Sequence, residues 1–347
     1  MSAVPAARLP AWWSWGKWIL PAVAIVAALA WLVTHPPWPI GATHTRGFDE
    51  FKLPGQTAFP VALAASPDRS GVWFTLESST LLGVLRDGEF AFVRKPFESI
   101  EPLGLAVDGT GRAWFTEAPK QAIVSAALDG TIATFPLGTS VSRLGRLAVA
   151  PDQSVWFAEP TRGSITRLKD GRLTRHPVSG AANARYANDA LPFGVAVAPD
   201  GTVWATLQNA DALMRITRHG EATIVDVPVR QAGLSDIAVA ADGSVWLLAA
   251  GANKIVHHVN GRFDEFTVPT PNAGLTALAV APDGAAWFAA LRAHRIGRVH
   301  QGVITEFALP RDNARPIAIA VDADNNVWYA DLAGWIGRLA ADRARAR

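Results

Sequence analysis

Cysteine is absent from the 347 residues, which removes disulfides, thiolate nucleophiles, zinc–cysteine sites and iron–sulfur ligation together. Net charge is scarce as well. Of a total of +2, Arg8, Lys17 and Arg46 account for all the charge of the first 46 residues, leaving about −1 for the rest by subtraction. The basic balance is therefore no nucleic-acid signature, and no nucleic-acid partner is expected. Tyrosine is reduced to two residues, one of them Tyr186. What is abundant is punctuation. The 29 Gly, 24 Pro and 14 Trp, in a chain half of whose residues are apolar, suggest many short strands with turns between them rather than long helices.

The longest charge-free apolar run is Trp18 to Thr34, WILPAVAIVAALAWLVT. As a helix rising about 1.5 Å per residue it nearly spans a hydrocarbon layer of about 30 Å. Trp12, Trp13, Trp15 and Trp18 stand at one end, and Trp31 and Trp38 at the other, as rings do at membrane interfaces. Arg8 and Lys17 precede the run and no Lys or Arg follows before Arg46, so the positive-inside rule leaves the N-terminus in the cytoplasm. The expected location is a bacterial inner membrane, single-pass, with the bulk of the chain periplasmic. A cleavable signal peptide is the competing reading, with Ala28-Leu29-Ala30 as its cleavage site, although cutting there would leave Trp31-Leu32-Val33 exposed. The chain then divides into a cytoplasmic N-terminus (1–17), a transmembrane anchor (18–34), a stalk stiffened by Pro36, Pro37 and Pro39 (35–46), a repeat domain (47–340) and a basic tail (341–347).

The repeat is carried by Trp73, Trp114, Trp156, Trp204, Trp246, Trp287 and Trp328, whose successive differences are 41, 42, 48, 42, 41 and 41. Each unit has an apolar run such as Gly104-Leu105-Ala106-Val107, a turn such as Pro199-Asp200-Gly201, a Val-Trp or Ala-Trp strand, and two further strands. Four short antiparallel strands per unit of about 40 residues predict an all-β fold, a seven-bladed β-propeller of four-stranded blades. The last unit stops after its third strand, Trp335-Ile336-Gly337-Arg338-Leu339. Phe48-Asp49-Glu50-Phe51-Lys52-Leu53-Pro54 matches the outer-strand pattern of Phe263-Asp264-Glu265-Phe266-Thr267-Val268-Pro269. Strand 47–54 is therefore expected to close the last blade and remove an exposed edge. One tryptophan per blade is expected to pack between neighbouring sheets, which leaves ligand stacking to off-register rings such as Trp335. The longest interval comes from an insertion, residues 179–190, that carries Tyr186.

Over nearly all of 47–340 the recurring Pro-x-Gly-x-Ala, Trp-Phe-Thr-Glu and Ile-Gly-Arg elements resemble the streptogramin B lyases, also called virginiamycin B lyases. Trp114-Phe115-Thr116-Glu117 and Pro310-x-x-Asn313-Ala314-Arg315-Pro316 are close to that family. The resemblance implies a seven-bladed propeller that opens a cyclic depsipeptide by elimination across its ester, with a histidine base and a magnesium ion held by glutamates. The base would lie in a Glu-Pro-His-Gly element at the start of a late blade. The residues in that slot here are Val61, Leu103, Gly145, Phe193, Ser235, Thr276 and Ile317. Arg315-Pro316-Ile317-Ala318 replaces both glutamate and histidine in the last blade, a second metal-binding glutamate would fall near Leu332, and Glu101-Pro102-Leu103-Gly104 has leucine in place of the base. Isoleucine cannot take a proton from a carbon acid, so the same residues are not expected to carry the lyase reaction.

Loops at one end of such a propeller share a face around the central channel, and Glu77, Glu117, Glu159 and Asp331 follow their tryptophans onto it. Glu117 and Glu159 are the metal-ligand candidates, as oxygen donors for Mg²⁺ or Ca²⁺. The alternative is that these acids pair with Arg143, Arg146, Arg162 or Lys120. His176, His219, His257, His258, His294 and His300 fall on third or outer strands or their turns, and His257-His258 alternates across a strand, so the two cannot chelate one metal. The leading expectation is a membrane-anchored binding or scaffold propeller lacking the family's catalytic histidine, engaging a protein, peptide or envelope ligand on the loop face. The alternative is a carbon–oxygen lyase or metal-dependent hydrolase with relocated catalytic groups.

Overall fold

A computed structural model of the chain describes residues 42–45, 47–55, 59–138, 143–178 and 190–345. The expected anchor 18–34 lies outside the described residues, as do 1–17 and most of the stalk. Among the described residues no helix is long and apolar enough to cross a membrane.

Thr43–Arg347 is one compact unit built from seven antiparallel sheets. The first blade runs through strands Pro60–Ala65, Val72–Leu76, Ser79–Arg86 and Glu89–Ser99, in that spatial order. The next five repeat the order, and the first strands of successive blades pack against one another around a central channel. In the seventh blade Pro316–Val321, Val327–Asp331 and Trp335–Leu339 are followed outward by Phe48–Lys52, from the other end of the domain, and then Ala42–Thr45. Phe48 pairs with Leu339 and Lys52 with Trp335.

The turn between first and second strands forms for a local reason. In the fourth blade Asp200 Oδ1 accepts the Thr202 N–H at 2.8 Å while Gly201 takes φ of 84°, a conformation that a β-carbon disfavours. Asp152–Ser154 (3.0 Å) and Asp242–Ser244 (2.9 Å) repeat the bond in neighbouring blades. In two blades an aspartate two positions earlier accepts the indole N–H of the blade tryptophan instead: Trp114 on Asp108 and Trp328 on Asp322, each at 2.8 Å.

Cross-strand pairing explains Ile-Gly-Arg. Arg298 is paired with Trp287 and lies over its ring, and Arg338 does the same with Trp328. The glycine before each arginine faces the aromatic residue that follows the tryptophan, Gly297 against Phe288 and Gly337 against Tyr329, and Gly83 of Leu82-Gly83-Val84 takes the same place against Phe74. The far end of each ring reaches its glycine, and a β-carbon there would overlap the ring. Six of the seven blade tryptophans are buried and Trp114 is partly so, so their role is packing.

Candidate functional site

The third residue of each segment leading into a blade is Ala62, Gly104, Arg146, Gly194, Asp236, Ala277 or Ala318, spaced within one residue of the tryptophan intervals. The residue is small because the second strand crowds it. Threonine hydroxyls of that strand accept its backbone N–H at 3.1 Å in Ala62, 3.0 Å in Gly104 and 2.8 Å in Gly194. A β-carbon on Gly104 or Gly194 would press on those threonines. The two exceptions are a cation and an anion, and they meet. Arg146 Nη2 lies 3.4 Å from Asp236 Oδ2, joining the third blade to the fifth. The same guanidinium donates to Leu103 O of the second blade (3.4 Å) and Thr276 O of the sixth (3.2 Å). Arg146 is thus a strut across the channel. Burial pushes the Asp236 carboxyl up, opposed by Arg146 and by the N–H groups of Leu278 (2.9 Å) and Ile237 (3.1 Å).

Around this strut stand the slot residues. Phe193 O accepts the Arg146 N–H at 2.8 Å, and Thr276 Oγ1 donates to Pro316 O at 3.1 Å. Leu103, Phe193, Ser235, Thr276 and Ile317 are partly exposed, while Val61 and Gly145 are buried. Arg143 lies over the Phe193 ring, 5.5 Å from its centroid.

The four acids expected on this face behave differently from one another. Glu77 stays partly exposed and accepts the Glu101 N–H at 3.0 Å; burial pushes its carboxyl up, with the charges of Glu101 and Glu98 adding to the shift. Glu117, Glu159 and Asp331 are fully buried. Glu117 faces Lys95 at 3.7 Å, with Ser99 hydrogen-bonded to both; burial pushes the Glu117 carboxyl up and the Lys95 ammonium down. Glu159 takes Arg175 at 3.1 Å, Arg162 at 3.4 Å and the Thr166 hydroxyl. Asp331 takes Arg311 at 2.6 Å, and that guanidinium also bridges to Glu50, which accepts the Tyr329 hydroxyl at 2.6 Å.

These residues do not fit a Mg²⁺ or Ca²⁺ site. Among the described residues no three His, Asp or Glu side chains converge as metal ligands. Each buried carboxylate already has a cation bonded to it, which would repel an incoming metal ion. Among the described residues, Arg162 is the one cation named from sequence that forms an ion pair with one of the four acids; Arg146 goes to Asp236, Arg143 to Phe193, and Lys120 lies over the Phe97 ring at 5.8 Å while its charge also acts on Glu117. Trp335 carries Arg311 on its ring at 4.7 Å and Lys52 at 5.2 Å. His176, His257 and His258 pack on Trp156, Trp246 and Trp204. Tyr186 lies outside the described residues.

Sequence reasoning passed over Lys95, Arg175, Arg311, Glu50 and Asp236. For Asp236 a signal existed, because an acid and a base break an otherwise Gly/Ala column of the repeat. For the others the repeat alone offers none, since their partners lie on other strands or at the other end of the chain.

Comparison with known proteins places this geometry in context. The profile of the Virginiamycin B lyase family matches residues 29–187 and 165–346. The virginiamycin B lyase of Nocardia farcinica (strain IFM 10152) is 35% identical over 192 residues, which are 55% of this chain and 63% of that relative. The chain therefore spans less than two thirds of that relative's length. A streptogramin B lyase structure superposes with a TM-score of 0.77 at 26% identity, over 84% of this chain and 96% of its own. A virginiamycin B lyase from Staphylococcus aureus does so with 0.77 at 25%, over 84% and 98%.

Proposed function

This chain belongs to the virginiamycin B lyase family, and from that premise we propose that its propeller is a binding module, tethered to the bacterial inner membrane through 18–34, that engages its ligand at the channel mouth without lyase chemistry. The observation that carries the reading is the composition of that mouth. Val61, Leu103, Gly145, Phe193, Ser235, Thr276 and Ile317 include no side chain that exchanges a proton near neutral pH. Three of the four acids near that face, Glu117, Glu159 and Asp331, are paired with Lys95, Arg175 and Arg311. A half-exposed ring of Leu103, Phe193 and Ile317 supplies apolar contact instead.

The second reading, a carbon–oxygen lyase with relocated groups, draws on the names of the relatives. One assay separates the two. Full-length protein incubated with virginiamycin B and Mg²⁺, followed by chromatography, is expected to leave the cyclic antibiotic intact at the rate of buffer alone. Enzyme-dependent linearisation would overturn the binding reading.

A further inference from the structure

The loop end of the third blade carries four guanidiniums, Arg143, Arg146, Arg162 and Arg175, against two carboxylates. Both carboxylates are already matched: Asp236 by Arg146 at 3.4 Å, Glu159 by Arg175 at 3.1 Å and Arg162 at 3.4 Å. Arg143 is exposed and has no carboxylate partner among the described residues. It is nevertheless not a loose surface side chain. Its guanidinium lies over the Phe193 ring at 5.5 Å, which holds the donor fork beside the channel mouth. Nearby, Arg146 links the third blade to the second, fifth and sixth through Leu103 O, Asp236 and Thr276 O. The Arg146 guanidinium makes only long contacts, 3.2 to 3.4 Å, and its buried Nε has no hydrogen-bond partner among the described residues, while the Ser235 hydroxyl beside Asp236 is also buried without one. Unmatched donors favour an acceptor that brings negative charge.

Resting on the binding reading above, we propose that the mouth recognises a carboxylate on an apolar or aromatic body, with Arg143 as the primary anion contact and Phe193, Leu103 and Ile317 receiving the body. A planar carboxylate matches the guanidinium fork with two parallel bonds. The Phe193 ring beneath that fork favours an organic acid over inorganic phosphate.

Full-length protein in detergent would be titrated with N-acetylphenylalanine, its amide, and inorganic phosphate, reading binding by calorimetry. The expected result is saturable binding of the acid, at least tenfold weaker binding of the amide and of phosphate, and loss of that preference in Arg143→Gln, with Arg143→Lys intermediate. Because Arg143 is exposed, the variants are expected to keep the wild-type Tm. Equal binding of acid and amide that is lost in Phe193→Ala would overturn the carboxylate inference while leaving the binding reading in place. Phosphate binding as tight as the acid, or no saturable binding of either phenylalanine probe, would overturn the inference as well. Failure of the binding reading itself is read separately, from linearisation of virginiamycin B.

Discussion

Three histidines packed on blade tryptophans carry a pH signature. Burial holds His176, His257 and His258 below the ordinary value of 6.5. Between that value and the folded one the unfolded chain binds more protons, so stability is complete above 6.5 and falls as the pH drops. Thermal melts from about pH 7.5 to about pH 5.5 are expected to show a falling Tm, with a smaller fall in a His176→Gln, His257→Gln, His258→Gln variant. An unchanged slope would show that the stacked rings do not titrate in this window. Gly297 offers a packing test, since a methyl there meets the Phe288 ring. Gly297→Ala is expected to cost about 1–3 kcal/mol in urea unfolding, with much of the loss recovered by adding Phe288→Leu. Glu117 and Glu159 provide a third test: their paired state predicts no micromolar Mg²⁺, Ca²⁺ or Mn²⁺ site by calorimetry. A site lost in Glu117→Gln and Glu159→Gln would contradict it.

At the level of elements, the strand Phe48–Lys52 depends on more than backbone pairing. Glu50 is 1% exposed and receives Arg311 through both carboxylate oxygens and the Tyr329 hydroxyl. Glu50→Ala would strand a guanidinium and a phenol beside Asp331, at a cost of about 3–5 kcal/mol for breaking a buried ion pair. The loss should be local to the seventh blade. Hydrogen exchange is expected to quicken at Trp335–Leu339 and stay unchanged at Val203–Leu207 in the fourth blade. Uniform acceleration would mean that the ring unfolds as one unit rather than opening at its closure.

For the whole molecule, the proposed membrane tether makes its own prediction. Full-length protein expressed in bacteria is expected to resist alkaline carbonate extraction and to be cut by protease only after the outer membrane is opened. Ala24→Arg with Ala28→Arg, which puts two charges in the apolar run at about 2.5–3.5 kcal/mol each, is expected to release it. Extraction of the unaltered chain by carbonate would remove the anchor from the proposal.

The sequence by itself determined the seven-bladed fold, because a repeat of about 42 residues states one supersecondary unit seven times and each copy carries its own strand pattern and turn chemistry. Asp200-Gly201 and Gly297-Arg298 act within a blade, between residues close in the chain, so their roles could be read from spacing. The site could not be read that way. Whether Glu117 holds a metal or a lysine depends on Lys95 arriving from the preceding blade, and whether Arg146 is a surface cation or a cross-channel strut depends on Asp236, two blades away. Glu50 and Arg311 are separated by 261 residues and meet only because the ring closes. Burial and charge pairing are sums over such neighbours, and only the tertiary structure supplies them.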